Sequence, residues 1–211
     1  MIATPEKIES ANKPLVFFVH GFLSKRLLMK PLEWQVASFG FKTVSWGYLS
    51  FVGSLKQHAT RLRPTLEKLC AENETVNIVA HSMGSIVLRL AMQMGPLPNL
   101  GRIVLMAPPN QGTPTARIVN PLFCLFCKGV SELSDRPNSL VNQIETRQDM
   151  DLGIIAGHYD WIVPKSRTPL ESQRDHICLH STHNTMLVMP SAARQVAEYL
   201  AHGEFARSAR S

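Results

Sequence analysis

Residues 76–92, VNIVAHSMGSIVLRLAM, restrict the possible folds of this chain more than any other stretch. They open with Val76-Asn77-Ile78-Val79-Ala80, a short β-branched apolar run of the kind that forms a buried strand. They close with Ile86-Val87-Leu88-Arg89-Leu90-Ala91-Met92, apolar on most sides and suited to a core helix. Only His81-Ser82-Met83-Gly84 lies between, so the chain must turn sharply and push Ser82 out of the sheet with its hydroxyl exposed. Ala80 and Gly84 are small, as a corner needs where strand and helix backbones pass close together. Small-x-Ser-x-Gly in a strand–turn–helix setting is the pattern of a nucleophile elbow. Alone it also fits an ordinary strand-to-helix turn, so its weight depends on the partners supplied elsewhere.

The 211 residues suit one domain with a sizeable core, and 18% charged against 45% hydrophobic residues describe a globular chain rather than a disordered one. We therefore read residues 1–211 as a single domain with its core over about 14–202 and loose ends at 1–13 and 203–211. No apolar run approaches the ~18 residues of a membrane span. The polar start MIATPEKIESANKP does not resemble a secretory signal, so the expected location is cytoplasmic, without stable membrane insertion. The net charge of +6 comes from scattered Lys and Arg, not from a basic run interleaved with aromatics, and nucleic acid is not an expected partner. Oligomeric state is not legible. Cys124-Leu125-Phe126-Cys127 has CxxC spacing but lacks a second ligand pair or a thioredoxin-like setting, so buried thiols are expected, with neither a metal nor a redox role.

Apolar runs predict strands at Leu15–Val19, Phe41–Trp46, 102–107, Leu152–Gly157 and 176–180, besides the run at 76–80. Helical spacing covers about 26–39, with Pro31 predicting a loop or separate first turn; Ser54 predicts an N-cap to a helix near 55–72, and Ser191 to Ala201 a closing helix. Strands alternating with helices imply an α/β fold: a mostly parallel sheet of about six strands, helices on both faces, and functional groups at the carboxyl ends of the strands. Between Pro108 and Met150 this rhythm breaks. The region 112–150 is expected either to cap the site or to pack on the sheet without touching substrate.

A serine hydroxyl needs a general base within hydrogen-bond reach, and the base needs an acid to fix its tautomer. In this architecture they should follow later strands in the order Ser, acid, His. Asp160 lies just beyond the strand at 152–157, whereas Asp149, Asp151 and Asp175 precede strands; Glu171 is the fallback acid. His183 follows the last strand and is the expected base. His176 and His180, at i and i+4, read as structural, with His180 the nearest competitor. Two backbone amides should hold the oxyanion of an acyl-transfer intermediate, at about 3 kcal/mol per donor. Met83, opening its helix, and Phe22, in the His20-Gly21-Phe22 loop after the first strand, are the candidates, with His20 holding that loop.

These motifs resemble the α/β-hydrolase superfamily, in particular its small esterase/lipase-like members. VNIVAHSMGS is similar to the elbow of compact Bacillus-type lipases; FFVHGF resembles their oxyanion strand and loop; APPNQG, AGHYDWIVP and STHNTML resemble the motifs after the three later strands. The five elements occur in order over about 14–202. The resemblance implies a minimal α/β-hydrolase fold and a serine hydrolase acting on small-molecule or lipid-like carboxylic esters through Ser82, Asp160 and His183, with no metal or organic cofactor. The sequence departs from relatives in HGFLSK, which lacks a further Gly, and in Ser85, where Gly is commoner. An acyltransferase with the same residues, and a non-catalytic binding protein on the same fold, are the alternatives.

Overall fold

The computed structural model describes residues 13–22, 26–123, 128–145 and 150–207. Cys124, Cys127 and the leader 1–12 lie outside the described residues. Six strands, β1 (Leu15–Val19), β2 (Lys42–Trp46), β3 (Val76–His81), β4 (Leu100–Met106), β5 (Leu152–Gly157) and β6 (Asp175–Leu179), form one sheet in the order β2-β1-β3-β4-β5-β6. Every pairing is parallel. Parallel strands need crossovers that cover both faces, which is why β1, β3 and β5 are apolar nearly throughout and buried along their whole lengths.

The helices are α1 (Arg26–Ser38), α2 (Leu55–Glu72), α3 (Met83–Met92), α4 (Pro114–Phe123), α5 (Lys128–Glu132) and α6 (Pro190–His202). One apolar core joins α2 and α3 to the sheet through Leu62, Leu66, Ile78, Ile86 and Leu105; a second joins α1 and α6 to the other face through Leu32, Val36, Phe18, Val104 and Val196. The N-cap expected at Ser54 is present as a capping box: Ser54 Oγ accepts from the Gln57 amide at 3.2 Å, and Gln57 Oε1 accepts from the Ser54 amide at 2.9 Å.

Two expectations are corrected. Pro31 does not divide α1, which runs through it. Met29, Leu32 and Val36 are fully buried, so packing of the apolar face outweighs the proline. The carbonyl that Pro31 deprives of a donor is that of Leu27, in the exposed first turn where water reaches it. Nor are residues 203–207 a loose end. Gly203 closes α6 in the left-handed conformation at φ 78°, Phe205 is buried with its ring 4.8 Å from that of Tyr199, and Arg207 pairs with Asp175.

The region between β4 and β5 contains α4, α5 and a 3-10 turn (Leu140–Gln143). Ala116, Val130, Leu133, Val141 and Ile144 belong to the first core, so much of this segment packs on the body of the molecule. Its first turn is tied to the loop after β5: Thr113 Oγ1 donates to the Ile162 carbonyl, and Thr115 Oγ1 to that of Trp161 at 3.2 Å.

Candidate active site

The chain order reverses between β1 and β3. From β1 it moves outward to β2 and then returns to the other side as β3, so the connections after β1 and β3 diverge and leave a crevice at their carboxyl ends. Ser82 stands at that crevice with φ 53° and ψ −127°, a conformation that costs a non-glycine residue roughly 1–3 kcal/mol. The surroundings hold it there: the Ser82 amide donates to the Met106 carbonyl at 2.8 Å, and its own carbonyl accepts from the Ser85 amide at 2.9 Å. Gly84 is required by close approach, because a Cβ there would lie 2.5 Å from the His20 carbonyl oxygen. A Cβ on Gly21 would lie 2.9 Å from that of Ser82, so the loop after β1 also reaches the corner only as glycine. Ser85 fills its place by donating from Oγ to the Ala80 carbonyl at 3.0 Å.

Asp160 and His183 arrive on the loops after β5 and β6. The Tyr159 amide donates to the Ser181 carbonyl at 3.0 Å, and the His158 amide to that of Leu179 at 2.7 Å, so the two loops are bound to each other. His183 Nε2 lies 2.9 Å from Ser82 Oγ, and His183 Nδ1 lies 2.7 Å from Asp160 Oδ2. The other carboxylate oxygen, Oδ1, accepts from the amides of Ile162 at 2.9 Å and Val163 at 2.8 Å. A carboxylate that accepts at Oδ2 fixes the Nδ1–H tautomer of His183, which leaves Nε2 with a lone pair toward the serine hydroxyl. All three side chains are buried.

The remaining acids are committed elsewhere or lie at other positions. Asp151 accepts from Tyr199 and Arg102, Asp175 from the Phe205 amide and Arg207, and Glu171 is exposed. Asp149 lies outside the described residues. His176 Nε2 sits 2.9 Å from Thr168 Oγ1, and His180 lies beyond β6, exposed beside Tyr159. His20 holds its loop: Nδ1 donates to the Gly21 carbonyl at 3.0 Å, and its ring stacks on Tyr48 at 4.4 Å. Tyr48 in turn donates its hydroxyl to the His20 carbonyl at 2.9 Å. Burial pushes the His20 imidazole below its ordinary pKa. Met83 opens α3, where a first-turn amide has no intrahelical acceptor. Phe22 follows Gly21, partly buried against the first core.

One residue of the site escapes sequence reasoning. His81, beside the serine, is buried with Nε2 3.0 Å from the backbone carbonyl of His183, and the two rings are 4.8 Å apart. A carbonyl only accepts, so His81 donates and pins the segment that carries His183. Burial first, and the neighbouring His183 second, hold the His81 pKa down to about 3. Nothing in the local pattern announces a contact that spans 102 positions.

Among the described residues there is no group of three or more His, Cys, Asp or Glu side chains placed to hold a metal ion. Nor is any helix there long and apolar enough to cross a membrane.

No family model and no curated protein matches the sequence. Solved structures do match the backbone. The mature form of the lipase BlEst2 from Bacillus licheniformis superposes with a TM-score of 0.70 over 95% of this chain and 96% of that one, at 13% identity. A metagenomic carboxyl esterase gives 0.71 over 94% and 78%, at 16% identity. An α/β-hydrolase enzyme from lagoon-sediment metagenome gives 0.61 over 89% and 90%, at 15% identity. This chain has the α/β-hydrolase fold. The chain spans nearly the whole mature Bacillus lipase but 54% of its propeptide form. At such identities the likeness is one of fold, and the chemistry has to be argued from the side chains.

Proposed function

We propose that this α/β-hydrolase-fold protein is a serine hydrolase of carboxylic esters. The observation that carries this reading is the continuous line from Ser82 Oγ to His183 Nε2 at 2.9 Å and from His183 Nδ1 to Asp160 at 2.7 Å. Ser82 Oγ attacks the ester carbonyl while His183 Nε2 takes its proton; Asp160 holds the tautomer and stabilises the imidazolium. The amides of Met83 and Phe22 donate to the oxyanion, aided by the positive end of α3. As the tetrahedral intermediate collapses, His183 returns the proton to the departing alkoxide, which leaves an acyl group on Ser82. Water, deprotonated by His183, then attacks that acyl group, and the acid departs as Ser82 regains its proton. The carboxyl esterase and lipase named above support the ester class, as does a line of groups that a passive binding site does not need.

The test is turnover of short p-nitrophenyl esters and labelling by a fluorophosphonate. Wild type should do both, and Ser82→Ala should lose both with an unchanged circular dichroism spectrum. A well-folded wild type that neither turns over the esters nor takes the label overturns the reading in favour of a binding protein.

A further inference from the structure

The loop after β1 has little of its own to fix the direction of its amides. Gly21 must lack a side chain to pass Ser82, and a glycine places the weakest limits on the peptide units at either side of it. Both units are nonetheless pinned. The Tyr48 hydroxyl donates to the His20 carbonyl at 2.9 Å, which fixes the unit between His20 and Gly21. His20 Nδ1 donates to the Gly21 carbonyl at 3.0 Å, which fixes the unit between Gly21 and Phe22. No described peptide bond is cis, so in that second unit the Gly21 carbonyl and the Phe22 amide point in opposite directions. Holding the carbonyl toward the His20 ring therefore aims the amide away from it.

Tyr48 bears on both contacts. Its backbone amide lies 3.4 Å from His20 Nε2 and donates to it. An Nε2 that accepts leaves the ring proton on Nδ1, the tautomer that the Gly21 carbonyl requires. Burial holds the His20 imidazole below its ordinary pKa, so near neutral pH the ring is uncharged and Nε2 keeps its lone pair. Burial pushes the Tyr48 hydroxyl the other way, above its ordinary pKa, so the phenol keeps the proton it donates. The Tyr48 ring is itself held by neighbours. It stacks on His20 at 4.4 Å and on Trp46 at 4.4 Å, and His58 meets it at 4.8 Å and 65°. The His20 carbonyl that Tyr48 grips lies against the first turn of α3, where a Cβ on Gly84 would come within 2.5 Å of it. One hydroxyl thus bears on the spacing between the loop after β1 and the turn that carries the Met83 amide.

We propose that Tyr48 is a positioning residue for the oxyanion: acting through His20, it sets the direction of the Phe22 amide and its distance from that of Met83. This inference rests on the ester-hydrolase reading, in which those two amides meet the oxyanion. Donors aimed before the charge develops need not reorganise as it forms, and small errors of aim cost much of their effect. Tyr48 contributes no atom to the reaction; it limits how far the two donors can turn away from it. Acylation and deacylation both pass through an oxyanion, so a loss of aim slows the two steps alike. The expected signature is a lower kcat at an unchanged KM.

The test is Tyr48→Phe in the full chain, which keeps the ring and its stacking and deletes only the donor. On a water-soluble ester kcat should fall about 10–100-fold, with KM within about twofold of wild type. The second readout is the adduct of Ser82 with a trifluoromethyl ketone, whose hemiketal oxygen stands where the oxyanion would. Followed by its fluorine resonance, that oxygen should hold a proton about tenfold more tightly in Tyr48→Phe than in wild type. A role in stability alone moves neither quantity. Tyr199→Phe is the control, since it removes the hydroxyl of another tyrosine, bonded to Asp151 at the amino edge. It should lower stability and leave both readouts as they are. If Tyr48→Phe does not fold, His20→Phe carries the test with the same two effects expected, because it keeps a ring against Tyr48 and removes the donor to the Gly21 carbonyl. An unchanged kcat and fluorine titration, or a raised KM at unchanged kcat, overturns the proposal while the ester-hydrolase reading stands. A wild type that neither turns over the ester nor takes the fluorophosphonate overturns that reading and the positioning role with it.

Discussion

The two edges of the sheet use similar side chains to opposite ends. At the amino edge, Arg102 Nε lies 3.0 Å from Asp151, while its Nη1 donates to the carbonyls of Leu200 at 2.9 Å and Ala201 at 2.8 Å. Tyr199 donates its hydroxyl to the same aspartate at 2.8 Å. This network caps α6 and fastens it to β4 and β5, and each of these contacts ends on a structural group. A hollow of about 680 Å³ lies against it, lined by Asn77, Gly101, Arg102, Asp151 and Leu200. At the carboxyl edge, Asp160 is fixed by two backbone amides and passes its orientation to His183, which faces a serine hydroxyl at a strained corner. One chain of contacts closes on structural groups; the other ends on the Ser82 hydroxyl at the crevice. That hollow is therefore no guide to the chemistry, because what distinguishes a site is where its last hydrogen bond points.

The sharpest way to break this contrast is Asp160→Asn. It should lower kcat on soluble esters by about 10³–10⁴-fold with little change in folding, since the amide misdirects the imidazole but still accepts from Ile162 and Val163. If activity survives, the two edges do not differ as described. Arg102→Ala should do the reverse. Chemical denaturation should report a loss of about 2–4 kcal/mol, with kcat within a few-fold of wild type.

Replacing His81 by Phe removes the donor to the His183 carbonyl. We expect kcat to fall about 10–100-fold with KM unchanged, and His81→Gln to recover part of that loss. Unchanged steady-state kinetics in His81→Phe would reduce His81 to packing.

Acid should weaken the fold before carboxylates begin to titrate. Burial lowers the pKa values of His20, His58, His81 and His176 in the native state, that of His81 to about 3. In the unfolded chain each protonates near 6.5. Between those limits the unfolded state binds more protons, so stability declines as pH falls from about 6.5 toward 4. Urea unfolding across this window should show a loss on the order of 1–3 kcal/mol, and His81→Phe should flatten it. The smallest effect belongs to His58, buried with neither ring nitrogen hydrogen-bonded and its ring 4.8 Å from that of Tyr48. His58→Phe should leave stability unchanged or raise it by up to about 1 kcal/mol, because a buried polar group without a partner is removed. A clear loss would point to a bond that the ring makes in solution.

Much of the fold was legible because its signals are local. The buried runs at 15–19, 76–80 and 152–157, the cap at Ser54 and the small residues around Ser82 each follow from steric and solvation rules that operate within a few residues. Asp160 and His183 were reachable for a related reason: in a parallel sheet, a residue that follows a strand is delivered to the same edge as every other such residue. Pro31 misled because its local cost is outweighed by burial of Met29, Leu32 and Val36, which depends on a sheet and a helix distant in sequence. Phe205 and Arg207 misled in the same way, since their partners are Tyr199 and Asp175.

The sequence by itself determined the alternation of strands and helices, the sharp corner at Ser82 and the order of serine, acid and histidine along the chain. Only the tertiary structure decided that His183 meets Ser82 at 2.9 Å and that His81 holds the backbone of that histidine. The reason is physical. Backbone preference and burial act over a few residues and can be read in order, whereas a hydrogen bond between positions 82 and 183 depends on angles accumulated through every intervening packing contact.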